Sequence, residues 1–282
     1  AMTVSHEIGA TKGRRSITID RETPTDGYRE NGWNVRASPL KDLCNPIRRI
    51  VDEMVGQANP DKSLISLAQG DPTVFGHLLP PKAAMEEVVG AFAACVHNGY
   101  TASAGMVEAR DAVAARYSEE NRRPLQAEDV FMTVGCSEAL SHSFAALAVD
   151  GANILLPKPG FPLYETLCHR HGIKYKFYEL DPENGWEIKL DDVRRLRDEN
   201  TVAIVVNNPS NPCGAVFSEK HLRAICTTCE ALHLPIIADE VYEDVFFDET
   251  RPFKSIAKFS GRVPVMAVSA LSKRWLTPGW RI

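Results

Sequence analysis

From residue 129 onward, short apolar runs rich in β-branched residues alternate with amphipathic stretches. The order is "DVFMTV", "SEALSHSFAALAV", "NILLP", "YETLCHRHG", "KYKFYEL" and "LDDVRRLRDE", then "TVAIVVNN", a helical stretch around Ala224, "LPIIADE" and "VPVMAVS". Apolar runs bounded by turn residues read as strands, and stretches with apolar positions three and four apart read as helices. The rhythm predicts βαβ units, and hence an α/β fold: an open, mostly parallel sheet of at least six strands sandwiched by helices. Upstream, "NPIRRIVDEMVGQA", "PPKAAMEEVVGAFAACVHN" and "VEARDAVAARYSEEN" read as three further helices, the first two flanking the loop "LAQGDPTVFGHLLP". No internal repeat is evident. No apolar run approaches the ~20 residues that span a bilayer, so no membrane partner is expected.

Composition narrows the classes of function. With 44% hydrophobic and 24% charged positions the chain is ordinary for a globular protein, which excludes disorder and low complexity as its main state. The 32 basic and 37 acidic residues give a net charge of −5, and no basic stripe interleaved with aromatics appears. A nucleic-acid partner is therefore not expected, and a small molecule is. Residues 1–35 read as a flexible polar arm without the apolar core of a signal peptide, so a cytoplasmic location is expected, with a mitochondrial one as the alternative. Seven cysteines, an odd number, read as reduced thiols. Cys226 and Cys229 form a C-x-x-C pair inside an amphipathic stretch, with no second pair, and the histidines lack metal-ligand spacing. No metal is expected.

In an open α/β sheet the ligand lies beyond the carboxyl ends of the strands, so the informative residues follow each apolar run. After "FMTV" come Gly135, Cys136 and Ser137. A glycine turn into a helix offers unpaired N–H groups and a hydroxyl to a phosphate, although Ser137 alone also suits a plain helix N-cap. Phe161 follows "ILLPKPG", and "NNPSNPCG" follows "AIVV". Asp239 ends "PIIA", with Tyr242 three residues on. A buried strand-end carboxylate requires a cationic partner, either a salt bridge or a protonated heterocyclic nitrogen such as that of pyridoxal 5′-phosphate (PLP). Lys273 ends "VMAVSALS". An amine in a low-dielectric site attacks aldehydes, whereas most strand-end lysines are merely solvated. The combination, rather than any single residue, points to PLP.

The segments "WNVRAS", "NPIR", "GDPTVFG", "NGYTASAG", "PGFPLYET", "PENGWE", "NNPSNPCGAVFS", "ADEVY" and "LSKRWLTPGWR" follow one another from Trp33 to the last residue. In order and spacing they resemble the fold-type-I PLP-dependent aminotransferases, with "WNVRAS", "NPIR" and "PENGWE" resembling the tyrosine aminotransferase branch. The resemblance implies that Lys273 carries the cofactor and moves the proton at the substrate Cα. It implies that Asp239 pairs with the pyridine nitrogen, that Tyr242 and Asn211 hydrogen-bond the cofactor's O3′, and that Phe161 stacks on its ring. Gly135, Cys136, Ser137 and Arg281 would hold the phosphate, with Tyr100 reaching over from the second subunit of a homodimer with shared sites. Gly70 and Asn211 would line the substrate carboxylate site.

Two departures accompany the resemblance. Many relatives place a phosphate-binding Ser three residues before the lysine; here Ala270 stands there, and neither Ser269 nor Ser272 is assumed to replace it. Relatives also continue beyond "PGWR" into a small domain whose arginine binds the substrate carboxylate. The expected organisation is thus an arm over residues 1–35, a segment over 36–80 contributing to the small domain and substrate site, and a truncated large PLP domain over 81–282. The implied activity is transfer of the amino group of tyrosine, or another aromatic or large apolar amino acid, to 2-oxoglutarate. Alternatives on the same scaffold are an alanine aminotransferase and a carbon–sulfur β-lyase. A PLP-sensing transcription regulator is disfavoured, because the first 35 residues are too short and polar for a DNA-binding helix-turn-helix.

Overall fold

Every apolar run from "NILLP" onward becomes a strand of one sheet. The computed structural model describes residues 50, 59, 61–62, 70–73, 76, 78–118 and 124–282. All belong to one compact unit, residues 43–282. The expected arm, the motifs "WNVRAS" and "NPIR", and nearly all of the helix expected over 45–58 lie outside the described residues.

The strands are β1 (Asn153–Lys158), β2 (Lys174–Asp181), β3 (Glu187–Ile188), β4 (Thr201–Asn207), β5 (Ile236–Asp239) and β6 (Val265–Val268). They lie in the order β3-β2-β1-β4-β5-β6. Each neighbouring pair is parallel except the antiparallel β2–β3. The helices are α1 (Lys82–Ala94), α2 (Val107–Ser118), α3 (Cys136–Ala146), α4 (Leu163–His171), α5 (Leu190–Leu196), α6 (Glu219–Ala231) and α7 (Leu271–Arg274).

The sheet is covered on both faces. Leu155, Ile204, Val206, Ile236 and Ala238 point to one side, onto Val193 of α5 and Leu222 and Ile225 of α6. Their alternates Ile154, Leu156, Ala203, Val205 and Ile237 point to the other, onto Leu140 and Phe144 of α3 and Leu167 of α4. This is why "AIVV" reads as a continuous apolar run rather than an alternation: a central parallel strand buries both faces. Each large aliphatic side chain removed from water there stabilises the fold by about 1.5–3 kcal/mol. Cys226 and Cys229 belong to this packing. Burial pushes their thiols up to about 11 and about 12, so they are inert apolar side chains in α6.

One expected strand does not form. "DVFMTV" begins in a 3₁₀ turn over Ala127–Asp129 and then runs extended, without joining a ladder among the described residues. Phe131 and Val134 are 73% and 58% exposed. A pleat with β-branched residues is a strand only where a neighbour meets its N–H and C=O groups. Here Met132 N–H donates to Ala104 O, while Val134 N–H is taken by the Glu138 carboxylate rather than by a strand.

"PENGWE" is a structural device. Gly185 and Trp186 take left-handed φ values of 62° and 61°, turning the chain so that Trp186 N–H donates to Asp181 O and β3 returns along β2. The turn is tied to α6. The buried His221 Nε2 accepts from Ile188 N–H at 2.9 Å, Nδ1 lies 3.3 Å from Glu187 Oε2, and Ser218 Oγ donates to Glu187 Oε1 at 2.7 Å. Accepting that N–H requires a neutral imidazole, and burial lowers the pKa of His221 from its ordinary 6.5, against the opposing pull of Glu187. The unfolded chain therefore takes up a proton that the folded one resists, so stability falls as pH drops through about 6.5. Replacing His221 with alanine leaves the Ile188 donor unmet. It is expected to cost about 1–3 kcal/mol and to flatten that acid slope, read by denaturant unfolding at a series of pH values.

Candidate active site

The sheet changes direction between β1 and β4, since β2 and β3 build outward from β1 on one side and β5 and β6 from β4 on the other. At such a switch point the connections leaving the two strands part, and a crevice opens beyond their carboxyl ends. Phe161 follows β1, Asn208 to Asn211 follow β4, Asp239 ends β5, and the segment after β6 leads into α7 with Lys273.

Asp239 is the chemical centre of this edge. Its side chain is buried, at 3% exposure. Oδ2 accepts from the Tyr164 hydroxyl at 2.6 Å, and Oδ1 accepts from Val241 N–H at 3.3 Å and from the Cys136 thiol at 3.7 Å. None of these neighbours is cationic. Burial raises the pKa of Asp239 above its ordinary value, opposed by the three donors. A carboxylate so placed is completed by a cation.

The Cys136 contact brings the start of α3 over the end of β5. The helix begins at Cys136 with Gly135 as its N-cap, so Ser137 is an exposed second residue and not the cap. The first-turn amides of Cys136 and Ser137 precede any helical acceptor, as at every helix start. Gly135 takes φ 74°, and a Cβ there would stand 2.8 Å from Arg281 Nη2. The guanidinium thus rests on bare backbone beside the helix start, donating to Pro278 O at 2.9 Å and Val134 O at 3.4 Å. Gly135→Ala meets both a backbone that L residues avoid and the arginine. We expect it to weaken binding of a phosphorylated cofactor by about tenfold, measured by equilibrium titration with PLP.

Lys273 Nζ lies 5.6 Å from the centre of the Tyr242 ring. Burial, with the charge of Asp239 added, pushes the Tyr242 phenol up, so it remains a hydrogen-bond donor. Lys273 is held through its neighbour. Arg274 pairs with the buried Glu243 and, at 2.5 Å, with Asp244 Oδ2, clamping α7 to the segment that carries Tyr242. Glu243 also accepts from Tyr117 and, at 2.8 Å, from Ser269 Oγ. The Ser269 hydroxyl is thereby spent on a carboxylate.

The remaining expected residues fall less evenly. Asn211 N–H donates to Asn207 Oδ1 at 2.7 Å, while Asn207 Nδ2 donates to Asp239 O at 3.0 Å, so a buried Asn fixes the Asn211 loop to β5. Phe161 meets Tyr164 edge-on, with ring centres 5.8 Å apart. Gly70 is exposed in open space. Beside it, Asp71 accepts from Thr73 N–H and hydroxyl at 2.9 and 2.6 Å. Those bonds lower the Asp71 pKa, and the charge of Lys273 adds a smaller pull in the same direction. Tyr100 stands apart and is fully exposed. Sequence reasoning missed Tyr164, Asn207, Glu243 and Arg274. The accessible signal for Tyr164 was its place one helical turn beyond Phe161.

PLP carries a basic ring nitrogen, an aldehyde and a phosphate. The edge offers a buried carboxylate with no cationic partner among the described residues, an amine, and a helix start flanked by a guanidinium, so the residues fit that group.

Known proteins give the same reading. The family described as "Aminotransferase class I and II" matches residues 62–282. Tyrosine aminotransferase of Mus musculus is 46% identical over 255 residues, covering 90% of this chain and 56% of the relative. That of Dictyostelium discoideum is 42% identical over 258 residues, covering 91% and 61%. The crystal structure of tyrosine aminotransferase from Leishmania infantum superposes with a TM-score of 0.81 at 32% identity, over 88% of this chain and 61% of that one. The chain thus spans less than two thirds of the length of these relatives. The family match spans most of the chain, and this chain belongs to the PLP-dependent class I and II aminotransferases.

Proposed function

We propose that the protein is an aminotransferase that moves the amino group of L-tyrosine, and of other aromatic or large apolar amino acids, to 2-oxoglutarate. The observation that carries the chemistry is the meeting of Asp239, Tyr242, Lys273 and the Gly135 turn at one strand-end edge. Support for tyrosine as donor comes from the 42–46% identity to tyrosine aminotransferases over about nine tenths of the chain.

When bound, PLP supplies an aldehyde that links to amines and a ring that accepts the electron pair left by proton removal. Lys273 Nζ is the amine that holds it, and the base that takes the proton from the substrate Cα. Asp239, as an anion, keeps the ring nitrogen protonated. Tyr242 and the Asn211 amide would hydrogen-bond the ring oxygen, and Phe161 would stack on the ring. The amides of Gly135, Cys136 and Ser137, the Ser137 hydroxyl and Arg281 bind the phosphate. Gly70 and Asn211 border the place of the substrate carboxylate.

The working unit is a homodimer in this reading. Helix α1 buries none of its residues and exposes Met85, Val88, Val89 and Phe92, and the nearby Tyr100 is wholly exposed. An apolar helix face beside a free phenol suits a second copy of the chain, in which Tyr100 reaches the phosphate.

Steady-state assays of the full-length, PLP-loaded gene product test the activity. Tyrosine should give the highest kcat/KM with 2-oxoglutarate, followed by phenylalanine, tryptophan and methionine. A higher value for aspartate or alanine removes the tyrosine assignment. Oxo-acid release without an amino acceptor identifies a lyase instead.

A further inference from the structure

We propose that Tyr164 is a positioning residue of this site: its hydroxyl, with the Cys136 thiol on the opposite oxygen, holds Asp239 as an oriented anion facing the cofactor. The proposal rests on the reading of Asp239 given above and deepens it. It assigns work to a residue whose buried ring otherwise looks like plain core.

The geometry carries the argument. Tyr164 lies in the first turn of α4, 1% exposed, among the apolar side chains that cover β1 and β5. A phenol at such a depth requires a partner. Its hydroxyl is spent on Asp239 Oδ2, across 75 positions of sequence, at 2.6 Å. That is the length of a charge-assisted O–H···O⁻ bond. Cys136 arrives from another helix at Oδ1, and Val241 N–H from the following loop. The carboxylate is thus held from α4, α3 and its own strand end, with neither oxygen at liberty to rotate.

The protonation states of the neighbours follow from their surroundings. Burial, and then the charge of Asp239, push the Tyr164 phenol and the Cys136 thiol well up, so each keeps its proton and acts only as a donor toward the carboxylate. Donors favour the ionised acid, whereas burial favours the neutral one. A neutral acid cannot keep a pyridine nitrogen protonated. The hydroxyl therefore decides how much of Asp239 is available as the anion the ring nitrogen needs. Among the described residues, the positive charge of Lys273 also bears on this cluster, at Cys136.

Tyr164→Phe removes the hydroxyl and keeps the ring, including its edge contact with Phe161. Losing one charge-assisted hydrogen bond corresponds to a factor of about 10 to 100. In the PLP-loaded enzyme, kcat should fall by that factor, with KM and cofactor affinity within about threefold of the parent. The decisive readout is the nitrogen-15 resonance of ring-labelled PLP, which should move toward the unprotonated position in Tyr164→Phe and further in the Tyr164→Phe/Cys136→Ala double variant. Cys136→Ala alone should move it slightly in the same direction and serves if Tyr164→Phe does not fold. A ring-nitrogen signal that shifts in Asp239→Asn but stays at the parent position in Tyr164→Phe and Cys136→Ala overturns the positioning role alone. A signal that stays put in Asp239→Asn as well removes the Asp239 reading together with it.

Discussion

Replacing Lys273 with alanine is expected to lower transamination by about ten-thousand-fold or more while the fold stands. The lysine is asked for two things, the covalent hold on the cofactor and the proton transfer at Cα, and general acid–base catalysis alone accounts for about 10² to 10⁴. The fold should survive because the adjacent Arg274, not Lys273, makes the bonds that fasten α7. Its guanidinium reaches Glu243 and Asp244, and Leu271 N–H donates to Ile282 O at 3.0 Å. Removing the Lys273 amine touches none of these. Borohydride reduction of the parent enzyme followed by peptide mapping should place the pyridoxyl group on Lys273. A label on another lysine, or near-parent turnover by Lys273→Ala, sinks the assignment.

Asp239→Asn should show the second-largest loss, about 10² to 10³ in kcat, with cofactor affinity reduced far less. The amide keeps the shape and can still accept from Tyr164, but it carries no charge to keep a ring nitrogen protonated. In the proposed reading the phosphate is held by backbone amides at the start of α3 and by Arg281, groups that the Asp239→Asn exchange leaves in place, so PLP retention is expected to change less than turnover. The split between turnover and affinity is the informative result. Equal losses in both would mean that Asp239 only helps hold the cofactor, and parent-like turnover would mean that it does neither.

The two substitutions differ in what the structure leaves behind. At position 273 an amine is lost from a half-buried site. At position 239 a buried acid is exchanged for an amide whose NH₂ then faces the Val241 N–H and the Cys136 thiol, both donors. Some loss of stability in Asp239→Asn is therefore expected from donor meeting donor, and its turnover should be read beside a thermal unfolding curve.

Much of the architecture follows from the chain alone, because strand formation here is a matter of local pattern. "NILL", "AIVV" and "PIIA" are continuous apolar runs, which only strands buried on both faces tolerate, and the intervening stretches repeat every three to four residues. Counting to the end of each run places Asp239 and the lysine-bearing segment at one edge of the sheet, since parallel strands joined by helices all end on the same side. The glycine at position 135 is legible for a related reason: a turn from an extended segment directly into a helix calls for a backbone conformation that other residues resist.

Tertiary structure decided what each of these residues meets. "DVFMTV" has the composition of a strand, yet no ladder partner lies beside Phe131 or Val134 among the described residues, and pattern cannot supply a neighbour. Tyr164 reads as an ordinary helix residue until the fold brings it to Asp239. Ser269, which the sequence leaves without a role, gives its hydroxyl to Glu243. "PENGWE" reads as a family mark until His221, thirty-three positions after Ile188, accepts its backbone N–H. Periodicity is encoded over a few residues and can be read from them. The protonation state and orientation of a side chain depend on the groups within about 4 Å of it, and in a parallel sheet those come from segments tens of residues away.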